Sequence, residues 1–378
     1  MRFMSFAASA LLVSGLLAVP SAAADNSSNL VVHEWGTFST FSGSNGKNLV
    51  FEPYDDDLPD FTHGYRPRKS KEGPAGGSIS LETPVLYFYT DRPLTASVRV
   101  DFPKGTLTEW FPQAAWTEHR LVWNDVKVVP HEDVQLPTER KRSRYYAARE
   151  TDATPLRTTF QNDEGKKGTE EEKFLFYRGV GTFELPLTVR AHPDGRFDVR
   201  WTGKEPLDDL ILLRVEGGKL RFRVFSLEKG SHGAIHDNLQ VPETDATEQE
   251  LGETLARMLT SKGLFEKEAR AMVKTWRSAW FGEEGTRVLY VLPNRLTDEL
   301  LPLRVEPKPD TLVRVLVGRH DVLTPEREKS IDTLVAELNR ETPGEDPKRQ
   351  AASKELQKLG RYLGAAHQEA QARLERRR

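Results

Sequence analysis

Two short stretches of this 378-residue chain combine imidazoles with carboxylates in patterns that could do chemistry. Val31-Val32-His33-Glu34-Trp35-Gly36-Thr37-Phe38 sets a histidine and a glutamate inside an apolar run, and Ser231-His232-Gly233-Ala234-Ile235-His236-Asp237 spaces two histidines four apart. Histidines at that spacing share one face of a helix, as zinc-binding helices use them, but Gly233 stands where the His-Glu-x-x-His motif has its glutamate. The segment follows Gly230 and reads more as a loop than as a helix. A zinc ion here would need a third ligand, for which His33 and Asp237 are the candidates. Histidine and glutamate are the types that hold zinc and activate its water, so His33, Glu34, His232 and His236 define a metal-dependent hydrolytic reading.

Other charges stand among apolar neighbours. In a regular strand His33 and Glu34 point to opposite faces, so they are not a ready acid–base pair. Glu82 alternates with Leu86 and Phe88, and Arg178 with Phe174 and Phe176. A lone charge in such surroundings is costly, so Arg178 is expected to pair with Glu34 or Glu82 beneath a sheet. The catalytic alternative has Glu34, Glu82 and Glu109 lining a cleft with Arg178. Trp110, Trp116 and Trp123 interleave with polar residues, a pattern that suits a sugar- or peptide-binding platform and equally a core.

The elements that must position these residues are mostly strands. Residues 79–90, 96–102, 184–191, 196–201, 210–215 and 219–225 are short apolar or alternating runs. His192-Pro193-Asp194-Gly195 and Gly217-Gly218 supply hairpin turns, and Asn124-Asp125 reads as the tip of a hairpin within 120–129. Close spacing and hairpin connections predict an antiparallel β-sandwich-like region over 25–242. Past Pro242 the period becomes helical. Thr247 and Glu250 form a capping-box signal, and Ala269, Met272, Trp276 and Trp280 share a helix face. Strands return at 287–292 and 312–317, which makes 243–323 an α+β segment packed on the sandwich. From Thr324-Pro325 the chain reads as a helical tail. In it Ala352, Leu356, Leu359, Leu363, Ala366 and Ala370 form a seam that either packs on the helix beginning at Pro325 or makes a homodimer. The fold class expected is mainly β with α.

Composition narrows the function classes. The formal net charge is -3 with the two signs intermixed, so no electrostatic footprint for nucleic acid is present. Residues 1–24 combine Arg2, an apolar run and Ala22-Ala23-Ala24, which reads as a secretory signal peptide. No later apolar run reaches the ~18 residues of a membrane span. The expected product is therefore exported and without a transmembrane anchor, in the periplasm or outside the cell. With no cysteine it has no disulfide and no thiolate chemistry. Neither G-x-S-x-G, a P-loop nor a dinucleotide fingerprint occurs.

Four segments together resemble a set of exported bacterial proteins that share the His-Glu-Trp-Gly-Thr-Phe opening. They are His33 to Phe38, Leu81-Glu82-Thr83-Pro84-Val85-Leu86-Tyr87-Phe88-Tyr89, Leu107-Thr108-Glu109-Trp110-Phe111-Pro112-Gln113-Ala114 and Phe174-Leu175-Phe176-Tyr177-Arg178-Gly179. The resemblance implies export and a shared architecture and implies no reaction. Two readings follow: a non-catalytic module that binds a protein or glycan partner at the cell envelope, and the metal-dependent hydrolase above.

Overall fold

The segment Val31–Ser42 is a strand with every residue but the first buried, because it is covered on both faces and paired on both edges. That position explains why apolar residues fill both of its faces, as in strands of a buried sheet. The computed structural model describes residues 29–53, 57–64, 78–161, 165, 167–230, 233–340 and 346–377. The expected signal segment 1–24 and His232 lie outside the described residues.

In chain order the first strands are β1 (Val31–Ser42), β2 (His63–Gly64), β3 (Ile79–Tyr89), β4 (Leu94–Asp101), β5 (Gly105–Phe111), β6 (Ala115–Thr117) and β7 (Arg120–Val128). There follow β8 (Leu156–Gln161), β9 (Lys167–Glu172), β10 (Leu175–Gly181), β11 (Leu187–Ala191), β12 (Arg196–Trp201), β13 (Leu210–Glu216), β14 (Lys219–Phe225), β15 (Glu228–Gly230) and β16 (Gly233–Gln240). Helices α1 (Glu248–Ser261) and α2 (Glu266–Arg277) precede β17 (Gly285–Val291), α3 (Asn294–Leu300), β18 (Leu303–Glu306) and β19 (Thr311–Val322). Helices α4 (Pro325–Leu338), α5 (Pro347–Gln357) and α6 (Leu363–Glu375) close the chain.

The protein is mainly β, built on a nine-stranded sheet of order β14-β13-β17-β19-β1-β3-β10-β5-β2. Its strands pair antiparallel except at the centre, where β1 and β19 run parallel. One face packs against two smaller sheets, β18-β4-β7-β8-β9 and β11-β12-β16-β15. Val32, Phe38, Leu86 and Phe88 meet Val98, Leu121 and Trp123 of the first and Val199 and Trp201 of the second in one apolar core. The other face is covered by α1 and α2, whose Leu251, Leu255, Met272 and Trp276, with Trp280 from the turn after α2, pack on Trp35, Val85, Leu213 and Val315. The sandwich-like arrangement read from the hairpins is present, with helices laid on its outer face.

Local signals hold where they are closed by short-range chemistry. Thr247 caps α1 and Glu250 returns the bond to its backbone, as the capping box requires. Asn124 and Asp125 are different: they lie within the single strand β7, where the two residues face Ser97 of β4 as a bulge. A bulge and a tight turn use the same small polar residues, and here the strand continues. The tail seam is also modified. It breaks into α5 and α6 around Gly360 (φ 52), and Ala352, Leu356, Ala366 and Ala370 are buried within the chain. Leu356, Tyr362 and Ala366 pack with Ile331 and Val335 of α4 and with Phe41 and Phe51. Among the described residues no helix is long and apolar enough to cross a membrane.

The parallel seam also buries an imidazole. His320 on β19 contacts Thr40 Oγ1 through Nδ1 (2.8 Å) and Ser42 Oγ through Nε2 (2.9 Å). Burial pushes its pKa from the ordinary 6.5 down to about 4. A histidine with a lowered pKa is neutral in the folded state while the unfolded chain takes up a proton, so stability falls as pH drops from about 6.5 to about 4. Urea unfolding across that window should show the wild type losing on the order of 3 kcal/mol more than His320→Gln. Parallel pH dependences for the two proteins would contradict the assignment.

Candidate functional site

Glu34 and Arg314 are direct register partners across the parallel pair β1–β19. Glu34 is fully buried and accepts from Arg314 Nε (2.7 Å) and from the hydroxyl of Tyr177 on β10 (2.5 Å). Arg314 also donates through Nη1 to Asp298 on α3 (2.6 Å). Burial alone would lower the pKa of the guanidinium, but Glu34 beside it holds that pKa above its ordinary value. Burial and then the Glu34 charge raise the Tyr177 hydroxyl well above its normal range, so it remains a donor. His33 points the other way, as alternation requires. Its Nδ1 lies 2.7 Å from Glu268 Oε2, and the same carboxylate accepts from Tyr89 (2.7 Å) and from the backbone N–H of Phe265 (2.8 Å). The two neighbours thus tie β1 to opposite layers.

Arg314 forms part of the wall of a cavity of about 520 Å³ at one end of the central sheet. Its polar wall comes from Asp208 and Asp209 before β13, Ser226 after β14, Ser261 and Lys262 at the end of α1, and Asn294 at the start of α3. Leu207, Met258, Val291 and Leu292 supply the apolar part. Lys262 is ion-paired with Asp208, and Asp209 accepts from Ser226 Oγ (3.0 Å). With Arg314 neutralised by Glu34 and Asp298, the wall offers planar hydrogen-bonding groups without a strong excess of charge. Such a lining suits a neutral polyhydroxylated ligand with an apolar C–H face better than a free ion.

The remaining candidates are distributed over the fold. Glu82 does not share the face of Leu86 and Phe88. Thr83 and Pro84 face the single residue Gly36, and this extra residue in β3 turns Glu82 to the helix side while Leu81 enters the sandwich core. There Glu82 is ion-paired with Arg361, from the short turn between α5 and α6. Arg178 points to the same side and donates to Asp57 (2.6 Å), which also accepts from Arg144 Nε (2.6 Å). Of the two partners expected for Arg178, Glu34 leaves the sheet on the opposite face, while Glu82 lies on the same side, where its charge acts on Arg178 although its ion pair is with Arg361. Burial would raise the Asp57 pKa, but Arg178 and Arg144 hold it below the usual carboxylate range. Glu109 is half-buried and accepts from Thr108 (2.5 Å), and its charge reinforces that of Arg178.

Trp110 and Trp123 are core residues, and half-buried Trp116 stacks on Trp110 with ring centroids 5.6 Å apart. Their indole N–H groups donate to Gln113, Leu107 and Pro112, so the three do not form an exposed platform. His236 lies on β16 of the four-stranded sheet, edge-on to Phe225, with Nδ1 2.9 Å from the Asp237 carbonyl. It is not brought to His33, which is buried between β1 and α2. Among the described residues no group of three or more His, Asp or Glu side chains is arranged to hold a metal ion. Arg314 and Tyr177 are not among the candidates that the sequence alone points to. The visible signal was a lone cation in Leu312-Val313-Arg314-Val315-Leu316, the counterpart of Glu34 in its own apolar run. Compared with protein-family models and with curated proteins, the chain matches none.

Removing Glu34 leaves the Arg314 charge buried with only the Asp298 carboxylate. Glu34→Leu is expected to lose about 3–5 kcal/mol in urea unfolding, and Glu34→Leu with Arg314→Met to recover most of it. Equal losses in the single and double variants would show that the ion pair does not couple the strands.

Proposed function

We propose that this chain is an exported, non-catalytic binding module for a glycan partner at the cell envelope, and that the cavity beside Arg314 holds the ligand. The observation that carries the reading is the composition of that wall. Asp208, Asp209, Asn294 and Arg314 present planar donors and acceptors next to Leu207, Met258 and Val291. Sugars are recognised by such a pairing, in which hydroxyls bond to fixed polar groups while the ring face lies on apolar carbon. The buried Glu34 carboxylate supports it by fixing Arg314 before any ligand arrives, which lowers the ordering cost of binding. Export rests on the character of residues 1–24 and on the resemblance carried by the four strand segments.

The reading is tested on an array of bacterial envelope saccharides, followed by calorimetry on whatever binds. Asp209→Ala and Asn294→Ala should each weaken binding tenfold or more, about 1.4 kcal/mol, with little change in thermal midpoint, and the bound saccharide should be recovered uncleaved. Binding that survives both substitutions would remove the cavity from the account, and turnover of the saccharide would make the protein an enzyme.

A further inference from the structure

The cavity beside Arg314 is lined by groups of two kinds. Asp208, Asp209, Ser226, Lys262 and Asn294 are exposed and polar, whereas Leu207, Leu292 and Arg314 are buried. Half-buried Met258 and Val291 add apolar carbon. At about 520 Å³ the space is of the size that small-molecule sites use. An exposed polar group can always turn to water, so the buried one decides which part of a ligand must meet it.

Arg314 is that group. Its side chain is 4% exposed, with Nε bonded to Glu34 and Nη1 to Asp298, while Nη2 is left without a hydrogen-bond partner. Tyr177 lies beside the guanidinium but closes its own bond on Glu34 (2.5 Å). Among the described residues of the wall no other buried side-chain nitrogen or oxygen is unpartnered. A buried donor without an acceptor disfavours the folded state, and a ligand oxygen removes that cost. The first requirement on the ligand is therefore an acceptor.

The charges set the second requirement. Arg314 is paired with Glu34 and Asp298, Lys262 is paired with Asp208, and Asp209 accepts from the Ser226 hydroxyl. Two cations thus stand against four carboxylates, so a ligand carboxylate or phosphate would meet charge of its own sign. The acceptor must be neutral. A free amine fails at the same atom, because an ammonium group can only donate. A sugar hydroxyl can accept, but it brings no carbon to cover Leu207 and Leu292. An acetamido group meets every requirement. Its carbonyl is a neutral acceptor for Nη2, its methyl suits the apolar wall, and its N–H is a donor for Asp209, whose carboxylate has acceptor capacity left after one bond.

We infer that the saccharide held in this cavity is an N-acetylated amino sugar, whose acetamido carbonyl accepts from Arg314 Nη2. The inference rests on the glycan reading above and narrows it to one class of sugar. Arg314 is then the residue that sets specificity, and Glu34 and Asp298 are positioning residues that fix its guanidinium before the ligand arrives.

Matched monosaccharides of the gluco, galacto and manno series, each with an acetamido group, a free amine or a hydroxyl at carbon 2, provide the test. They are titrated into the full chain and followed by calorimetry. In at least one series the acetamido sugar should bind tenfold or more tightly than both of its counterparts. In Arg314→Lys, which keeps a cation for Glu34 and lacks Nη2, that preference should fall to about threefold or less. Glu34→Leu with Arg314→Met removes the guanidinium without stranding a charge and should lose the preference in the same way. A merely loosened fold would weaken all three sugars alike and leave their ratio unchanged. The inference is overturned if no acetamido sugar binds more tightly than its hydroxyl counterpart, or if the preference survives in either variant. Binding of hydroxyl sugars that still depends on Asp209 and Asn294 would refute the acetamido assignment alone, whereas binding of no envelope saccharide would refute the glycan reading itself.

Discussion

The ion pair between Glu34 and Arg314 is the constraint on which the arrangement rests. Parallel β1 and β19 are separated by almost the whole chain, and nothing local sets their register. A one-residue slip would turn Glu34 to the helix side and His33 into the sandwich core, separating Glu34 from Arg314 and His33 from Glu268. The penalty for burying an unpaired charge therefore acts against every alternative register. Such a pair adds little net stability over well-packed apolar residues, and its effect here is on specificity of pairing.

From that seam the two faces of the sheet diverge. The sandwich face is apolar around Phe38 and Phe88 and takes in charge where Glu34, Tyr177 and Arg314 satisfy one another and where Arg214 lies over Phe197. The helix face is apolar under α2 and becomes polar beside α5 and α6, where Arg361 and Tyr362 reach Glu82 and Asp321. The C-terminal helices are thus held both by Phe41, Phe51 and Val335 and by the sheet's own carboxylates. Their loss would uncover apolar and charged groups together.

Much of the fold was legible because its signals are local. The hairpins at Gly195 and Gly217, the capping box at Thr247 and the helix face of Trp276 and Trp280 depend on residues a few positions apart. The opposite orientation of His33 and Glu34 also follows from strand period alone. Glu82 was misplaced for the same reason that the period is useful: one inserted residue at Thr83-Pro84 inverts the face of everything before it. Asn124 and Asp125 look like a turn and are a bulge, since both accommodate the same residues. The partners of Glu34 and Arg178 were illegible, because Arg314 and Asp57 are 280 and 121 positions away and only the assembled sheet brings them near.

Amide hydrogen exchange of the native protein tests the central role of the seam most directly. If pairing of β1 with β19 underlies the structure, the amides of residues 31–42 and 311–322 should exchange only through global unfolding and be the last to do so. In Glu34→Leu that protection should fall for both strands together. Exchange of β1 or β19 ahead of the β4–β7 sheet would contradict the account, because the seam would then be a late addition to a structure stable without it.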